Sequence, residues 1–127
     1  MTLEVNSSYA EVAWKNILRA GLGRVVDIRV GPALSTLPTL KENWQSGFDL
    51  IFIDADKCNN ATYFDWALKL THVGSMIVAV NVVRAGEILH EDALDERVTC
   101  VRSGNAAMGK SQQVMATAVS NGGEQGT

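Results

Sequence analysis

Residues 48–60 read FDLIFIDADKCNN, a run of strand-forming apolar side chains that ends in two carboxylates and a lysine. The continuous apolar core of this stretch, Leu50 to Ile53, is too short for a helix and suits a strand covered on both faces, as strands in parallel sheets are. Asp54 then stands at the carboxyl end of the strand, with Asp56 and Lys57 in the loop that follows. A strand that is interior along its length and charged only at its end calls for a reason at that end.

Downstream of the loop, Asn59 or Asn60 can cap a helix whose apolar stripe is Tyr63, Trp66, Ala67 and Leu70. Gly74 interrupts that pattern before a second strand rich in β-branched residues, Met76 to Val83. Upstream, Thr2 to Val5 fits the end of a strand. Ser8-Tyr9-Ala10-Glu11 has the form of a capping box, with Tyr9, Val12, Ala13, Ile17 and Ala20 at helical spacing and Gly21 placed to end the helix in a left-handed conformation. Val25 to Val30 alternates apolar and charged residues up to Gly31-Pro32, and Ala33 to Trp44 reads as a weaker helix interrupted at Pro38. Strands alternating with helices predict an α/β fold with a mainly parallel sheet and right-handed crossovers.

Beyond about Glu87 the pattern fades: a helix is expected within Asp92–Met108, a last strand over Val114–Val119, and disorder over Ser120–Thr127. The expected organisation is one domain over residues 1–119 with a disordered tail at 120–127. A chain of 127 residues, 46% hydrophobic, is long enough for one core. Its net charge of −3 argues against nucleic acid or an anionic membrane as partner. No apolar run long enough to span a bilayer and no signal-peptide pattern occur, so the expected location is cytoplasmic. There, Cys58 and Cys100, lacking metal-ligand spacing, are expected as reduced thiols. His72 and His90 are expected on the surface, and Trp14, Trp44 and Trp66 in packing roles.

In open parallel sheets ligands bind outside the carboxyl ends of the strands. Asp54 and Asn81 lie at or near two such ends, and if their strands are neighbours the two side chains converge on one ion or polar ligand, with Lys57 within reach. Asp56 and Asn59 serve equally well as loop or capping residues.

The combination of "TLEVNSSYAEVAWKNILRAGL", "RVGPALSTLP", "FDLIFIDADKCNNATYFDWALKL" and "GSMIVAVNVVRAG" resembles the cation-dependent O-methyltransferases, the family of the caffeoyl-CoA and catechol enzymes, over about two thirds of the chain. The resemblance implies a Rossmann-like methyltransferase fold, S-adenosylmethionine as cofactor, a divalent cation (Mg, Mn or Ca) and a small phenolic or catechol-like hydroxyl as acceptor. By the same resemblance Glu4 binds the ribose hydroxyls and Ala33 lies beside the adenine. Asp54 ligates the metal and borders the cofactor's methionine end, Asn81 is a second metal ligand, and Lys57 takes the proton from the acceptor hydroxyl.

Three departures qualify these expectations. Val80 stands where the family pattern has an Asp beside Asn81, which leaves a degraded metal site. The chain begins at the family's second strand, without the first strand and its glycine-rich turn, and it lacks the final hairpin. The reading is therefore a fold truncated at both ends with impaired activity. The strands flanking the missing one are expected to pair directly, to pair with a second copy in a homodimer, or to stay partly unfolded. A non-catalytic remnant that binds a ligand weakly or acts as an interaction module is the alternative. A phosphoacceptor receiver domain is disfavoured, because it needs an acidic pair after its first strand and a lysine after its last, where Arg84 stands.

Overall fold

In the computed structural model the described residues are 1–80, 100, 105, 106 and 108–119. They gather into two compact units, Met1–Gln45 and Ser46–Thr127. Each unit holds a two-stranded parallel sheet.

The first unit runs β1 (Thr2–Glu4), α1 (Ser7–Arg19), β2 (Ile28–Val30) and α2 (Ala33–Asn43). Helix α1 starts two residues earlier than the Ser8/Glu11 capping box predicts. Asn6 is its N-cap, and Asn6 Oδ1 accepts from the backbone N–H of Ser8 at 2.9 Å and of Tyr9 at 3.3 Å. Glu11 is left to pair with Lys15 one turn on. At the other end the expectation for Gly21 holds: at φ 74° it lets Leu22 N–H reach back to the Ile17 carbonyl while its own N–H takes that of Leu18. The covered face of α1 is Ala10, Ala13 and Ile17, whereas Tyr9 and Val12 from the predicted stripe are exposed. Strand β2 is shorter than predicted, because Val25 and Val26 both donate to the Leu22 carbonyl in a turn. Pro38 sits inside a continuous α2, where the helix forgoes one backbone hydrogen bond without breaking.

The second unit runs β3 (Phe48–Ile53), a 3₁₀ turn (Lys57–Asn59), α3 (Asn60–Leu70) and β4 (Thr71–Ala79). Helix α3 buries Phe64, Ala67 and Leu70, the strongest core of the molecule. Trp66 is half-buried instead, with the Lys69 ammonium 4.7 Å from its ring centroid.

Strand β3 is not covered on both faces as predicted. Ile53 is buried, but Leu50 and Phe52 are 58% and 61% exposed, because among the described residues one helix packs on the two-stranded sheet and covers one face only.

Strand β4 begins directly after α3 and carries Gly74 within it. The pairing jumps from Phe48/Thr71 to Leu50/Met76, and Ser75 Oγ fills the irregularity by donating to the Phe48 carbonyl at 2.8 Å and accepting from His72 N–H at 3.1 Å. His72 is exposed, as expected, yet engaged: its ring nitrogens face the Val73 carbonyl and Asp49 Oδ1. These two acceptors, the backbone carbonyl first, hold its pKa above the ordinary value.

Val114–Val119 forms no strand, and Met115 and Val119 are almost fully exposed there. Within the helix expected over Asp92–Met108, the described residues Cys100, Asn105, Ala106 and Met108 are helical, and helix continues to Lys110. His90 and the tail 120–127 lie outside the described residues. Among the described residues no helix is long and apolar enough to cross a membrane.

Candidate functional site

In the first unit the parallel register sets Glu4 beside Val30, so Glu4 and the turn Gly31-Pro32-Ala33 share the carboxyl edge of the sheet. The Gly31 N–H donates to the Glu4 carbonyl at 2.9 Å, which fixes that turn against the end of β1. Gly31 adopts φ 138°, a conformation open to glycine and strained for other residues even though the space beside it is empty. The half-buried Glu4 side chain is oriented by one oxygen: Oε1 accepts from Asn6 N–H at 2.8 Å, and Oε2 makes no hydrogen bond among the described residues. Asn6 thus couples the start of α1 to the aim of this carboxylate. Ala33, the first residue of α2, presents only a methyl group at the same edge. An acceptor oxygen next to a small-residue turn at the carboxyl ends of parallel strands suits a nucleoside, whose vicinal hydroxyls donate and whose base needs a flat approach. The groove of this unit lies elsewhere, between α1 and β2, where Ala10, Trp14, Val26 and Ile28 line about 410 Å³ of open space that reaches neither Glu4 nor Ala33.

In the second unit Ile53 pairs with Ala79, and the Val80 N–H donates to the Ile53 carbonyl at 3.2 Å. Residues 54 and 80 therefore leave neighbouring strands at the same edge. Lys57, expected within reach of the ligand that Asp54 and Asn81 would share, forms an ion pair with Asp54 itself: Nζ lies 3.1 Å from Asp54 Oδ1. The two ends of this ion pair differ in access, the Lys57 side chain being 18% exposed and that of Asp54 55%. The ammonium is sheltered and the carboxylate faces solvent.

Asp56 does more than close the loop. It accepts from the Asn59 amide and, at 2.6 Å, from the Tyr63 hydroxyl. The Tyr63 hydrogen bond is the main cause that holds the Asp56 carboxyl below the ordinary carboxylate range. Burial, followed by the Asp56 contact, pushes the Tyr63 hydroxyl up to about 12. Sequence reading left Asp56 undecided, although Asp56, Asn59 and Tyr63 lie at three- and four-residue steps that bring them to one side of a helical turn.

The signs of these shifts define a test. Asp56 contributes stability above pH 3.8 that is lost as pH falls through its lowered folded value; Tyr63 contributes stability below pH 10 that is lost as pH rises from there toward about 12. Ultraviolet titration should show one phenolate appearing near pH 12 that Tyr63→Phe removes, and that substitution should cost about 0.5–1.5 kcal/mol in urea unfolding at neutral pH.

Cys58, expected as a free thiol, is bonded to Cys100, 42 positions further along the sequence, with Cα atoms 4.5 Å apart. A spacing of that length says nothing about proximity in space, so composition could not reveal it.

The described residues do not fit a divalent-cation site. Hard cations take six or more oxygen ligands, with carboxylate charge setting affinity. Asp54 offers one carboxylate already paired with Lys57, Val80 brings no side-chain oxygen, and no cluster of three or more His, Cys, Asp or Glu occurs among the described residues. Asn81, the second ligand inferred by resemblance, lies outside them.

Parallel strands flanked by helices, with Glu4 in one unit and Asp54 and Lys57 in the other at strand carboxyl ends, define an α/β protein of the Rossmann-like class. The chain belongs to the O-methyltransferase family, whose model matches residues 1–123. It is 47% identical over 117 residues to a catechol O-methyltransferase of Niastella koreensis, covering 92% of this chain and 53% of that protein. It is 44% identical over 126 residues to a catechol O-methyltransferase of Mycobacterium tuberculosis, covering 99% of this chain and 56% of that protein. Among solved structures it is similar to the O-methyltransferase TomG from Streptomyces achromogenes in complex with SAM, at a TM-score of 0.79 and 39% identity over 87% of this chain and 50% of that one. The chain thus spans about half the length of these relatives.

Proposed function

We propose that this chain binds S-adenosylmethionine and takes part in methyl transfer to a hydroxyl of a small phenolic or catechol-like acceptor, in the cytoplasm. The observation that carries the reading is the Glu4 edge of the first unit. A carboxylate held by Asn6 through Oε1 keeps Oε2 for a ribose hydroxyl, while the Gly31–Ala33 turn backs the adenine. The relatives support the cofactor and the acceptor class, being catechol O-methyltransferases and a SAM-bound O-methyltransferase.

In the second unit Asp54 borders the methionine end of the cofactor, and Lys57 is the group that takes the acceptor's proton. Lys57 acts in its neutral form, Nζ having first released its proton to solvent; as the acceptor oxygen then attacks the sulfonium methyl, the O–H bond breaks toward Nζ, the C–O bond forms, and the S–C bond breaks with its electron pair returning to sulfur. S-adenosylhomocysteine leaves neutral, and Asp54, 3.1 Å from Nζ, stabilises the resulting ammonium. In-line placement of the acceptor supplies most of the remaining rate. A cation held by Asp54 and Asn81 belongs to the family resemblance and has no part in this sequence of events.

Titration calorimetry with S-adenosylhomocysteine tests the reading. The wild-type chain should bind, and Glu4→Gln, which keeps size but removes the charge, should bind about 10- to 100-fold more weakly, as loss of a charge-assisted hydrogen bond predicts. Absence of heat from the wild-type chain at high micromolar ligand would sink it.

A second reading is favoured by Val80, which brings no side-chain oxygen to the edge beside Asp54: a ligand-binding or interaction module without turnover. Leu50, Phe52 and Met76, all more than half exposed beside a sheet of two strands, supply an apolar surface and edges on which a second copy can add in a homodimer. Binding of S-adenosylhomocysteine with no transfer of a labelled methyl group to catechol would select this module.

A further inference from the structure

The bond between Cys58 and Cys100 occupies a particular place in the second unit. Strands β3 and β4 are parallel neighbours, so the segments that follow them leave the sheet at the same edge. Cys58 belongs to the turn after β3, directly between Lys57 and Asn59, and Cys100 belongs to the chain that follows β4. The bond therefore joins two segments that no backbone hydrogen bond joins among the described residues. The turn itself is only three residues long. Within the second unit it is held by Asp56, which gathers Asn59 and Tyr63, and by the Lys57–Asp54 pair. Every one of these ties is local, spanning three to seven residues, and the disulfide is the one long-range anchor of the turn among them.

Access decides what can act on this bond. Cys58 is an exposed residue and Cys100 a half-buried one, which makes Cys58 the open end of the bond, and exposed disulfides are the labile class.

We propose that Cys58–Cys100 is a reversible thiol–disulfide site, exchanged by low-molecular-weight thiols of the glutathione class, that sets the order of the Lys57 turn. In reduction a glutathione thiolate attacks Cys58 Sγ, a mixed disulfide forms on Cys58, and Cys100 leaves as a thiolate that takes up a proton. A second glutathione thiolate then attacks the glutathione sulfur of the mixed disulfide and releases Cys58 as a thiolate, which is protonated in turn. The protein gains two electrons and two protons, and glutathione is oxidised to its disulfide. Oxidised glutathione drives the reverse. The consequence for methyl transfer rests on the role given above to Lys57; the exchange itself does not.

Intact mass spectrometry and amide hydrogen exchange on the full chain test this in excess reduced and then in oxidised glutathione. Reduction should raise the mass by about 2 Da. It should also speed exchange of the amides from Asp56 to Asn60 roughly tenfold, as loss of a local tether predicts. Cys58→Ser, at an exposed position, should show the fast exchange in both buffers. A bond that reduced glutathione leaves intact, equal exchange in the two states, or a Cys58→Ser protein that still responds overturns the proposal. Calorimetry with S-adenosylhomocysteine in the same buffers separates the two claims: altered exchange without binding in either state refutes the cofactor reading and leaves the tether established.

Discussion

Replacing Phe64 by alanine should cost the second unit about 3–5 kcal/mol, the range found when a buried aromatic side chain is removed from a packed core. Phe64 is 4% exposed and sits with Ala67 and Leu70 on the face of α3 that covers β3 and β4. That sheet has two strands and one covered face, so its packing against α3 is what holds the strand ends carrying Asp54 and Val80 in register. Urea unfolding followed by far-ultraviolet circular dichroism reads the loss, and Phe64→Leu, which conserves most of the volume, should cost less than about 1.5 kcal/mol. A loss below about 1 kcal/mol for alanine would mean that α3 does not form this core.

The second large effect concerns the disulfide as a source of stability. Closing a loop between residues 42 apart removes chain entropy from the unfolded state equivalent to about 4 kcal/mol. Cys58→Ser should therefore lower the unfolding free energy of the oxidised protein by roughly that amount, and wild-type protein unfolded in the presence of a reductant should match the variant. An unchanged urea midpoint under both treatments would show that the bond contributes nothing to the folded state. The magnitude is a large share of the 5–15 kcal/mol typical of a domain, which is why the redox state belongs in any measurement on this chain.

Much of the frame was legible in the residues. The run before Asp54 announced a strand, the alternation of strands and helices announced parallel pairing, and Gly21 marked the end of α1 because only a left-handed residue closes that hydrogen-bond pattern. The start of α1 was misplaced because Ser8 and Glu11 form a valid capping box in sequence, while the Glu4 carboxylate, by holding Asn6 N–H, favours Asn6 as the cap. Coverage of β3 on both faces was inferred from Leu50–Ile53, but apolar composition does not report how many layers are present to cover a sheet. The same limit explains Val114–Val119, where β-propensity without a partner strand produced no strand.

At the candidate site, the nearness of Lys57 to Asp54 followed from their spacing at a strand end, whereas Glu4 and Ala33 came from the family resemblance. The Asp56–Tyr63 contact was readable from helical spacing, yet the disulfide was not, since pairing over such a separation depends on the folded path of the chain. Asp54 proved to be an ion-pair partner within a donor set too poor for a hard cation.

The most direct test of the central claim, that the Glu4 edge receives the nucleoside of S-adenosylmethionine, is a proton–nitrogen correlation spectrum of the full chain titrated with S-adenosylhomocysteine. The amide resonances of Asn6, Gly31 and Ala33 should move with ligand, and Glu4→Gln should abolish the movement at the same concentrations. If those amides stay in place while others shift, or move equally in Glu4→Gln, the nucleoside does not bind at this edge.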